Sequence, residues 1–250
     1  MSYLSYLREY FFPAGCGGCG GALLCREDAW FGLCAACRAY LSAAFAKEEH
    51  CLVCGRPLIS EKETCIPCRG EKSNDSNNGR HVKLKAIFPY AGRFREILGT
   101  YKFEKSVAVG NFFVQCLVSA IDGFIEGLDP ETVREAAWVP VPPRPGKIKS
   151  QGWDQIEYLA KLLGRDYKRS VSGIPVSRCL KRLPSRSQKE LNREERSRNL
   201  AKRILCTKPP PRTAILFDDV ITTGATFKAC ADALLESGAA RVYGVCLFYD

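Results

Sequence analysis

Residues 214–226 read A-I-L-F-D-D-V-I-T-T-G-A-T, and this stretch decides the fold class. Its leading apolar residues predict a buried strand that ends in two carboxylates, Asp218 and Asp219. The small residues after them predict a loop that opens into a helix. In open α/β sheets, a loop at the carboxyl end of a strand lies where ligands bind. We therefore predict an α/β fold with its ligand site at this loop.

The chemistry of the loop suits a sugar phosphate. Asp218 and Asp219 can accept hydrogen bonds from vicinal hydroxyls. The residues that follow can surround a phosphate with backbone NH groups, hydroxyls and a helix N-terminus. These predicted phosphate-binding residues are Thr222, Thr223, Gly224, Ala225 and Thr226. An acidic pair alone would equally suit a helix cap or a metal site, so the interpretation depends on the whole string.

A second anion-binding loop is predicted at residues 139–149, which read V-P-V-P-P-R-P-G-K-I-K. The prolines restrict the loop, and Arg144, Lys147 and Lys149 supply cations that attract a diphosphate. The same string also suits a rigid surface turn.

The rest of the chain alternates between predicted strands and predicted helices. Strand patterns occupy residues 81–90, 136–141 and 241–248, and helical patterns occupy residues 107–125, 152–163 and 225–235. This alternation predicts a mostly parallel sheet. Residues 71–80, E-K-S-N-D-S-N-N-G-R, read as a polar linker. We therefore divide the chain into a Cys-rich domain (1–70), a linker (71–80) and an α/β domain (81–250).

The Cys-rich domain carries four C-x-x-C pairs, the spacing of zinc ligands. The eight predicted ligands are Cys16, Cys19, Cys34, Cys37, Cys51, Cys54, Cys65 and Cys68. They complete two four-thiolate sites and leave no open coordination position, so we predict a double zinc ribbon with two structural Zn²⁺ ions. The sequence leaves open which pairs combine. The alternative, disulfides or free thiols, accounts less well for the spacing.

Composition and charge bear on the cellular location of the protein and on its binding partners. No run of residues reaches the length that a membrane helix needs, and thiolate ligands need a reducing compartment, so we expect a cytoplasmic protein without membrane insertion. The formal net charge is +10. Residues 165–203 hold 13 Lys and Arg against 4 Asp and Glu, a net charge of +9. The basicity is therefore local, and it suggests a closing loop over a ligand, a contact with single-stranded DNA, or a solvated charged helix.

These pieces occur in an order that resembles the ComF family. A double zinc ribbon precedes Y-A-G-R-F-R-E-I-L-G-T-Y-K-F from Tyr90, V-P-V-P from Val139, a basic loop and the string at residues 214–226. The resemblance covers nearly the whole chain. Where members commonly carry R-G-F-N-Q, this sequence reads Q-G-W-D-Q at residues 151–155.

The string at residues 214–226 also resembles the 5-phosphoribosyl-1-pyrophosphate signature of type I phosphoribosyltransferases. The resemblance implies that fold, with Asp218 and Asp219 on the ribose diol and residues 222–226 around the 5-phosphate. It also implies Mg²⁺ with the pyrophosphate. Residues 101–103 resemble the lysine-containing stretch of the ComF family, which implies that Lys102 lies near the pyrophosphate; a solvated helical lysine is the alternative. Two functions follow as hypotheses: a transferase with an unidentified acceptor, or an accessory protein of DNA uptake and its machinery. Thr222 stands where many purine-salvage relatives have an aspartate, and it cannot act as a carboxylate base.

Overall fold

The structure, a computed structural model, describes residues 15–45, 51, 58, 61–66, 69, 83–125, 129–166, 173–184 and 203–250. The linker at residues 71–80 and most of the basic segment, residues 167–172 and 185–202, lie outside this part of the chain, as do Cys54 and Cys68. The predicted division into domains therefore stays a prediction.

Four parallel strands form the central sheet. They are β1 (Lys83–Pro89), β2 (Ala136–Pro140), β5 (Thr213–Ile221) and β6 (Arg241–Tyr249), in the order β1-β6-β5-β2. A separate antiparallel ribbon pairs β3 (Leu180–Arg182) with β4 (Ile204–Cys206). The prediction of a mixed α/β protein with a parallel sheet is confirmed. All four parallel strands direct their carboxyl ends to one edge, which is the edge where the predicted ligand loops lie.

Helices cover both faces of the sheet. In chain order they are α1 (Arg26–Phe31), α2 (Ala35–Phe45), α3 (Gly92–Phe103), α4 (Val107–Ile125), α5 (Pro130–Arg134), α6 (Lys147–Gln151), α7 (Gln155–Asp166) and α8 (Ala225–Glu236). Side chains of α2, α3, α4 and α7 share one core with the strands, and α8 and the β3–β4 ribbon pack in a second core on other strand residues. The sheet is therefore buried between two layers, which explains the continuous apolar runs in β2 and in the first half of β5.

The central strand β6 has little room for a side chain at Gly244. A Cβ atom there would come within 2.6 Å of Leu84 Cδ1 and 2.8 Å of Phe227 Cε1, so both side chains would have to shift. Glycine therefore allows β1 and α8 to approach β6 this closely.

Among the boundaries that differ from the sequence predictions, two concern the site. Strand β5 continues to Ile221, so Asp218 and Asp219 lie within the strand and not after it. Helix α7 begins at Gln155 because the Asp154 carboxylate accepts hydrogen bonds from the NH groups of Ile156 and Glu157, each at 3.0 Å. An N-cap aspartate with these contacts excludes the residues before it from the helix.

Candidate functional site

A cleft of about 740 Å³ opens at the carboxyl edge of the sheet. Its walls come from the end of β2 and the loop after it, the start of α7, the β3–β4 ribbon and the end of β5. Cations line it at Arg144, Lys147 and Arg182, and carboxylates line it at Asp154, Asp218 and Asp219. A cleft with both kinds of charge can bind an anion on one wall and hydroxyl groups on the other.

Asp219 is the centre of a polar network. Its side chain is nearly buried, and its Oδ2 atom lies 2.9 Å from Lys102 Nζ and accepts a hydrogen bond of 2.5 Å from Gln155 Nε2. Tyr101, the neighbour of Lys102, donates its hydroxyl to the Gln155 carbonyl at 2.6 Å. Hydrogen bonds thus join helices α3 and α7 at the end of β5. Lys102 contacts the wall of the cleft at Asp219, although the two residues are far apart in the sequence.

Asp218 has a different environment. Burial raises the pKa of its carboxyl group well above the usual range, and the adjacent charge of Asp219 raises it further. A hydrogen bond from the Asp219 NH, at 2.8 Å from Asp218 Oδ1, and the more distant Lys102 oppose this rise only in part. The ionised form of Asp218 is therefore unfavourable in this environment, and hydrogen-bond donors supplied by a ligand would stabilise it.

The loop after β5 offers backbone donors. Gly224 is the N-cap of α8 and has a φ of +73°, a conformation that favours glycine. Glycine has no side chain to accept from the NH groups of the first helical turn, and the hydrogen bond from Ala225 N to Thr223 Oγ1 is long, at 3.4 Å. The N-terminus of a 12-residue helix in this state can accept an anion.

The structure brings together part of the predicted ligand set. Asp218, Asp219, Thr226 and Arg144 line the main cleft, and Lys102 contacts Asp219. Thr222 and Thr223 are exposed on the adjoining loop, and Gly224 and Ala225 are half-buried. Lys149 is exposed on α6, and it is absent from the residues that line the cleft.

Arg182 is a cleft residue that the motifs did not single out. It ends β3 and is half-buried, and burial together with the nearby charge of Arg144 lowers the pKa of its guanidinium. Two arginines that repel each other across a cleft are stabilised when an anion lies between them. The sequence signal was weak, because Arg182 stands among many other cations of the basic segment.

A four-cysteine centre lies near the N-terminus. Cys16, Cys19, Cys34 and Cys37 have Sγ atoms that all lie within 4.8 Å of one another, and Cys19 Sγ is 3.8 Å from Cys34 Sγ. Sulfurs bound tetrahedrally at about 2.3 Å from Zn²⁺ lie about 3.8 Å apart. The geometry therefore fits a zinc ion, and the pairing is sequential: the first two C-x-x-C pairs belong to one site.

Backbone donors prepare this centre for thiolates. Burial would raise the pKa of Cys16, but hydrogen bonds from the NH groups of Cys34, Gly18 and Cys19 lower it to about 7. Burial and then the neighbouring thiols raise the pKa of Cys37. The surroundings thus favour the thiolate of Cys16 and disfavour that of Cys37. A cation among the four sulfurs favours all four thiolates, because it stabilises every one of them at once.

The second predicted metal site is described only in part. Cys51 and Cys65 are both buried and pack together against Leu58. Their predicted partners, Cys54 and Cys68, lie outside the described residues. The second zinc ion therefore stays a prediction. Among the described residues, no helix has both the length and the apolar character required to cross a membrane.

Fold and sites define the class: a mixed α/β protein whose parallel sheet ends in an acidic and cationic cleft, together with a cysteine cluster that can hold zinc. Comparison with known proteins narrows this class. The chain is 26% identical over 196 residues to competence protein ComFC of Streptococcus pneumoniae, covering 78% of each protein. It is 27% identical over 193 residues to competence protein ComFC of Bacillus subtilis, covering 76% of this chain and 73% of that relative.

No protein-family model matches the chain. Each of the two comparisons nevertheless spans about three quarters of the chain. These comparisons support membership of the ComF family.

Proposed function

We propose that this protein binds 5-phosphoribosyl-1-pyrophosphate with Mg²⁺ in the cleft and has the type I phosphoribosyltransferase fold. One observation carries the proposal: Asp218 and Asp219 line the same cleft as Arg144 and Arg182, at the carboxyl edge of a parallel sheet. A ligand with a diol and several phosphates matches this combination of acceptors and cations.

Each part of the ligand has a proposed partner. The ribose diol donates to Asp218 and Asp219, and the 5-phosphate lies in the loop from Thr222 to Thr226, against the N-terminus of α8. The pyrophosphate lies toward Arg144, Arg182 and Lys102. Mg²⁺, a cation that prefers oxygen ligands, would bind with the pyrophosphate and offset its charge.

Calorimetric titration with 5-phosphoribosyl-1-pyrophosphate in Mg²⁺ tests this proposal. We expect the wild type to bind and the double variant Asp218→Asn/Asp219→Asn to bind at least about tenfold more weakly, because amides alter the acceptor pattern that faces the diol. Asp232→Asn is the matched control. Asp232 lies on α8, pairs loosely with Lys228 at 3.6 Å and is not among the residues that line the cleft. Equal affinity of the folded double variant and the control would remove the proposed role of the acidic pair.

Transfer of the phosphoribosyl group to an acceptor is the first candidate activity. A turnover screen with 5-phosphoribosyl-1-pyrophosphate, Mg²⁺, ammonia and heterocyclic acceptors would identify it. Release of pyrophosphate that depends on the acceptor and disappears in Asp218→Asn/Asp219→Asn would establish a transferase. Tight binding without turnover with any acceptor would favour a ligand-binding role.

Binding of single-stranded DNA is the second candidate function, in a protein of DNA uptake that contacts the uptake machinery. Two observations favour it: both relatives are named competence proteins, and residues 165–203 carry a net charge of +9. The reducing setting required by the cysteine centre agrees with a cytoplasmic location for this step.

The salt dependence of DNA binding tests this second function. If about six cations meet phosphates, log affinity should fall with log salt at a slope of about −4. Changing Arg193, Arg196 and Arg198 to Gln should flatten that slope. A matched triple variant at Arg26, Lys161 and Lys208, exposed cations outside residues 185–202, should not. Absence of binding at low salt, or equal slopes in the two triple variants, would exclude this contact.

A further inference from the structure

The four-cysteine centre packs directly on the helix that carries Lys102. Thr100 Oγ1 of α3 donates a hydrogen bond of 3.1 Å to the Gly17 carbonyl, which lies between Cys16 and Cys19. The Gly17 NH in turn donates to the Gly32 carbonyl at 2.9 Å. The turn at residues 16–19 is therefore also bonded to the segment that leads to Cys34 and Cys37. A single residue, Gly17, therefore joins both cysteine pairs to α3.

Glycines allow this close contact. A Cβ atom on Gly17 would lie 3.0 Å from Val109 Cγ2 and 3.2 Å from Thr100 Cγ2. A Cβ atom on Gly18 would lie 2.9 Å from Cys37 Sγ and 3.2 Å from Ile97 Cδ1. The cysteine-bearing turns thus pack against α3 with almost no spare space, and a change in their shape must be taken up by the helix.

The hydrogen bond at Thr100 lies two residues from Lys102, so a short part of α3 connects the cysteine centre to the cleft. Thr100 is followed by Tyr101, which is fully buried and donates to the Gln155 carbonyl, and then by Lys102. Lys102 and Gln155 both contact Asp219 Oδ2, at 2.9 and 2.5 Å. The last turn of α3 is therefore held at one side by the cysteine centre and at the other by the acidic residue of the cleft.

We propose that the four-cysteine centre is a positioning element for the ligand cleft, acting through Gly17 and Thr100 on the placement of Lys102 against Asp219. The inference rests on the function proposed above, because it concerns affinity for 5-phosphoribosyl-1-pyrophosphate. Zinc holds the turn at residues 16–19 in the shape that α3 requires. Zinc binding and ligand binding then favour each other by the same factor, since coupling between two sites is reciprocal.

The test compares two hydrogen bonds that join the same N-terminal segment to the body of the protein. Thr100→Val removes the donor to Gly17 and keeps a side chain of similar shape. Asn111→Leu removes the donor to the Trp30 carbonyl, a bond of 2.8 Å from α4 that has no connection to Lys102. Both proteins are studied full-length and zinc-loaded, with zinc content and thermal unfolding measured first.

We expect both variants to keep wild-type zinc content. Thr100→Val should bind 5-phosphoribosyl-1-pyrophosphate about three- to tenfold more weakly, the effect of one hydrogen bond, and Asn111→Leu should bind as the wild type does. If Thr100→Val unfolds, Gly17→Ala provides the same comparison, because its added methyl group presses on Thr100 and Val109 without altering a cysteine.

Zinc release gives a readout that a merely structural contact would not change. In the wild type, saturating 5-phosphoribosyl-1-pyrophosphate should slow removal of zinc by a chelator several-fold. This protection should be lost in Thr100→Val and in Lys102→Met, and kept in Asn111→Leu. Equal ligand affinities in Thr100→Val and Asn111→Leu, or ligand-independent zinc release in the wild type, would overturn the inference. If the wild type fails to bind the ligand at all, the proposed function fails instead, and the calorimetric titration shows this separately.

Discussion

Asp218 and Asp219 are adjacent in β5 but have different partners. Asp219 contacts Lys102 and Gln155, whereas Asp218 accepts a hydrogen bond only from the Asp219 NH among the contacts described for it. Burial and the charge of Asp219 raise the pKa of Asp218. A carboxylate held in this state lowers the stability of the ligand-free protein, a cost that binding sites often carry.

We predict that Asp218→Asn raises the midpoint temperature of unfolding while it weakens ligand binding. The amide removes an unfavourable charge, and a gain of about 1 kcal/mol corresponds to about 2–4 °C in a chain of this size. Asp219→Asn should instead lower the midpoint, because it leaves Lys102 without its partner. Differential scanning calorimetry distinguishes the two variants. A lower midpoint for Asp218→Asn would contradict the assignment.

The pH dependence of stability follows from the same shift. Because the pKa of Asp218 is higher in the folded than in the unfolded state, the folded state binds the proton more tightly. The contribution of Asp218 to the free energy of unfolding is therefore greatest below the unfolded pKa, about 3.9, and is lost as pH rises toward the folded pKa. Asp218→Asn should lack this fall. Parallel pH profiles in the wild type and the variant, from denaturant unfolding, would contradict it.

Arg182 should contribute to ligand affinity although no motif marks it. We predict that Arg182→Gln weakens binding of 5-phosphoribosyl-1-pyrophosphate about tenfold, since a charge-assisted hydrogen bond contributes about 1.5–3 kcal/mol. Arg178→Gln is the matched control, because Arg178 precedes the same ribbon and pairs with Glu157 at 2.8 Å. Calorimetry on both variants measures the difference. A loss of affinity in the control alone would assign the effect to the ribbon and not to the cleft.

At the scale of elements, the cysteine turns are built by glycine and by helix ends. Gly20 has a φ of +72°, and the Gly20 NH closes the first turn on the Cys16 carbonyl at 2.8 Å. Helix α1 ends at a left-handed glycine, Gly32, which redirects the chain to Cys34. These local conformations bring four sulfurs together within residues 16–37.

We predict two Zn²⁺ ions per chain and the loss of one in Cys34→Ser. Removing one of four thiolates opens the site and weakens it strongly. Cys25→Ser is the control: Cys25 caps α1 through the Asp28 NH at 3.4 Å and stands outside the four-sulfur cluster. Metal analysis of reduced protein counts the ions. A wild-type content near one would remove the second zinc site, and an unchanged content in Cys34→Ser would remove the first.

At the scale of the whole molecule, the N-terminal segment shares the hydrophobic core of the α/β body. Leu33 and Leu41 are fully buried in the same cluster as Phe88, Phe94 and Ile97. Side chains from α2 thus fill space beside β1 and α3. Packing of this kind couples the stability of the segment to that of the sheet.

We predict that zinc-loaded protein unfolds in one main calorimetric transition and that a chelator lowers its midpoint by about 10 °C or more, because zinc binding contributes to folding free energy. Two separate transitions, with only the smaller one sensitive to the chelator, would show that residues 1–70 fold independently of residues 81–250.

The sequence by itself determined the structural features that depend on residues close together along the chain. The alternation of predicted strands and helices specified the parallel sheet, and residues 214–226 specified a strand, an acidic pair and a helix N-terminus. C-x-x-C spacing specified metal-binding cysteine pairs, whereas the structure showed which two pairs form the first centre. Each of these signals is local, since its period or spacing reflects contacts within a few residues.

Only the tertiary structure decided which distant residues meet. Lys102 and Gln155 converge on Asp219, Arg182 enters the cleft from a short ribbon, and Gly17 lies against Thr100. No periodic pattern in the sequence indicates these contacts. They arise because helices and strands that are far apart in the chain pack at one edge of the sheet. Burial also raises the pKa of the Asp218 carboxyl group, and the desolvation that causes this shift exists only in the folded molecule.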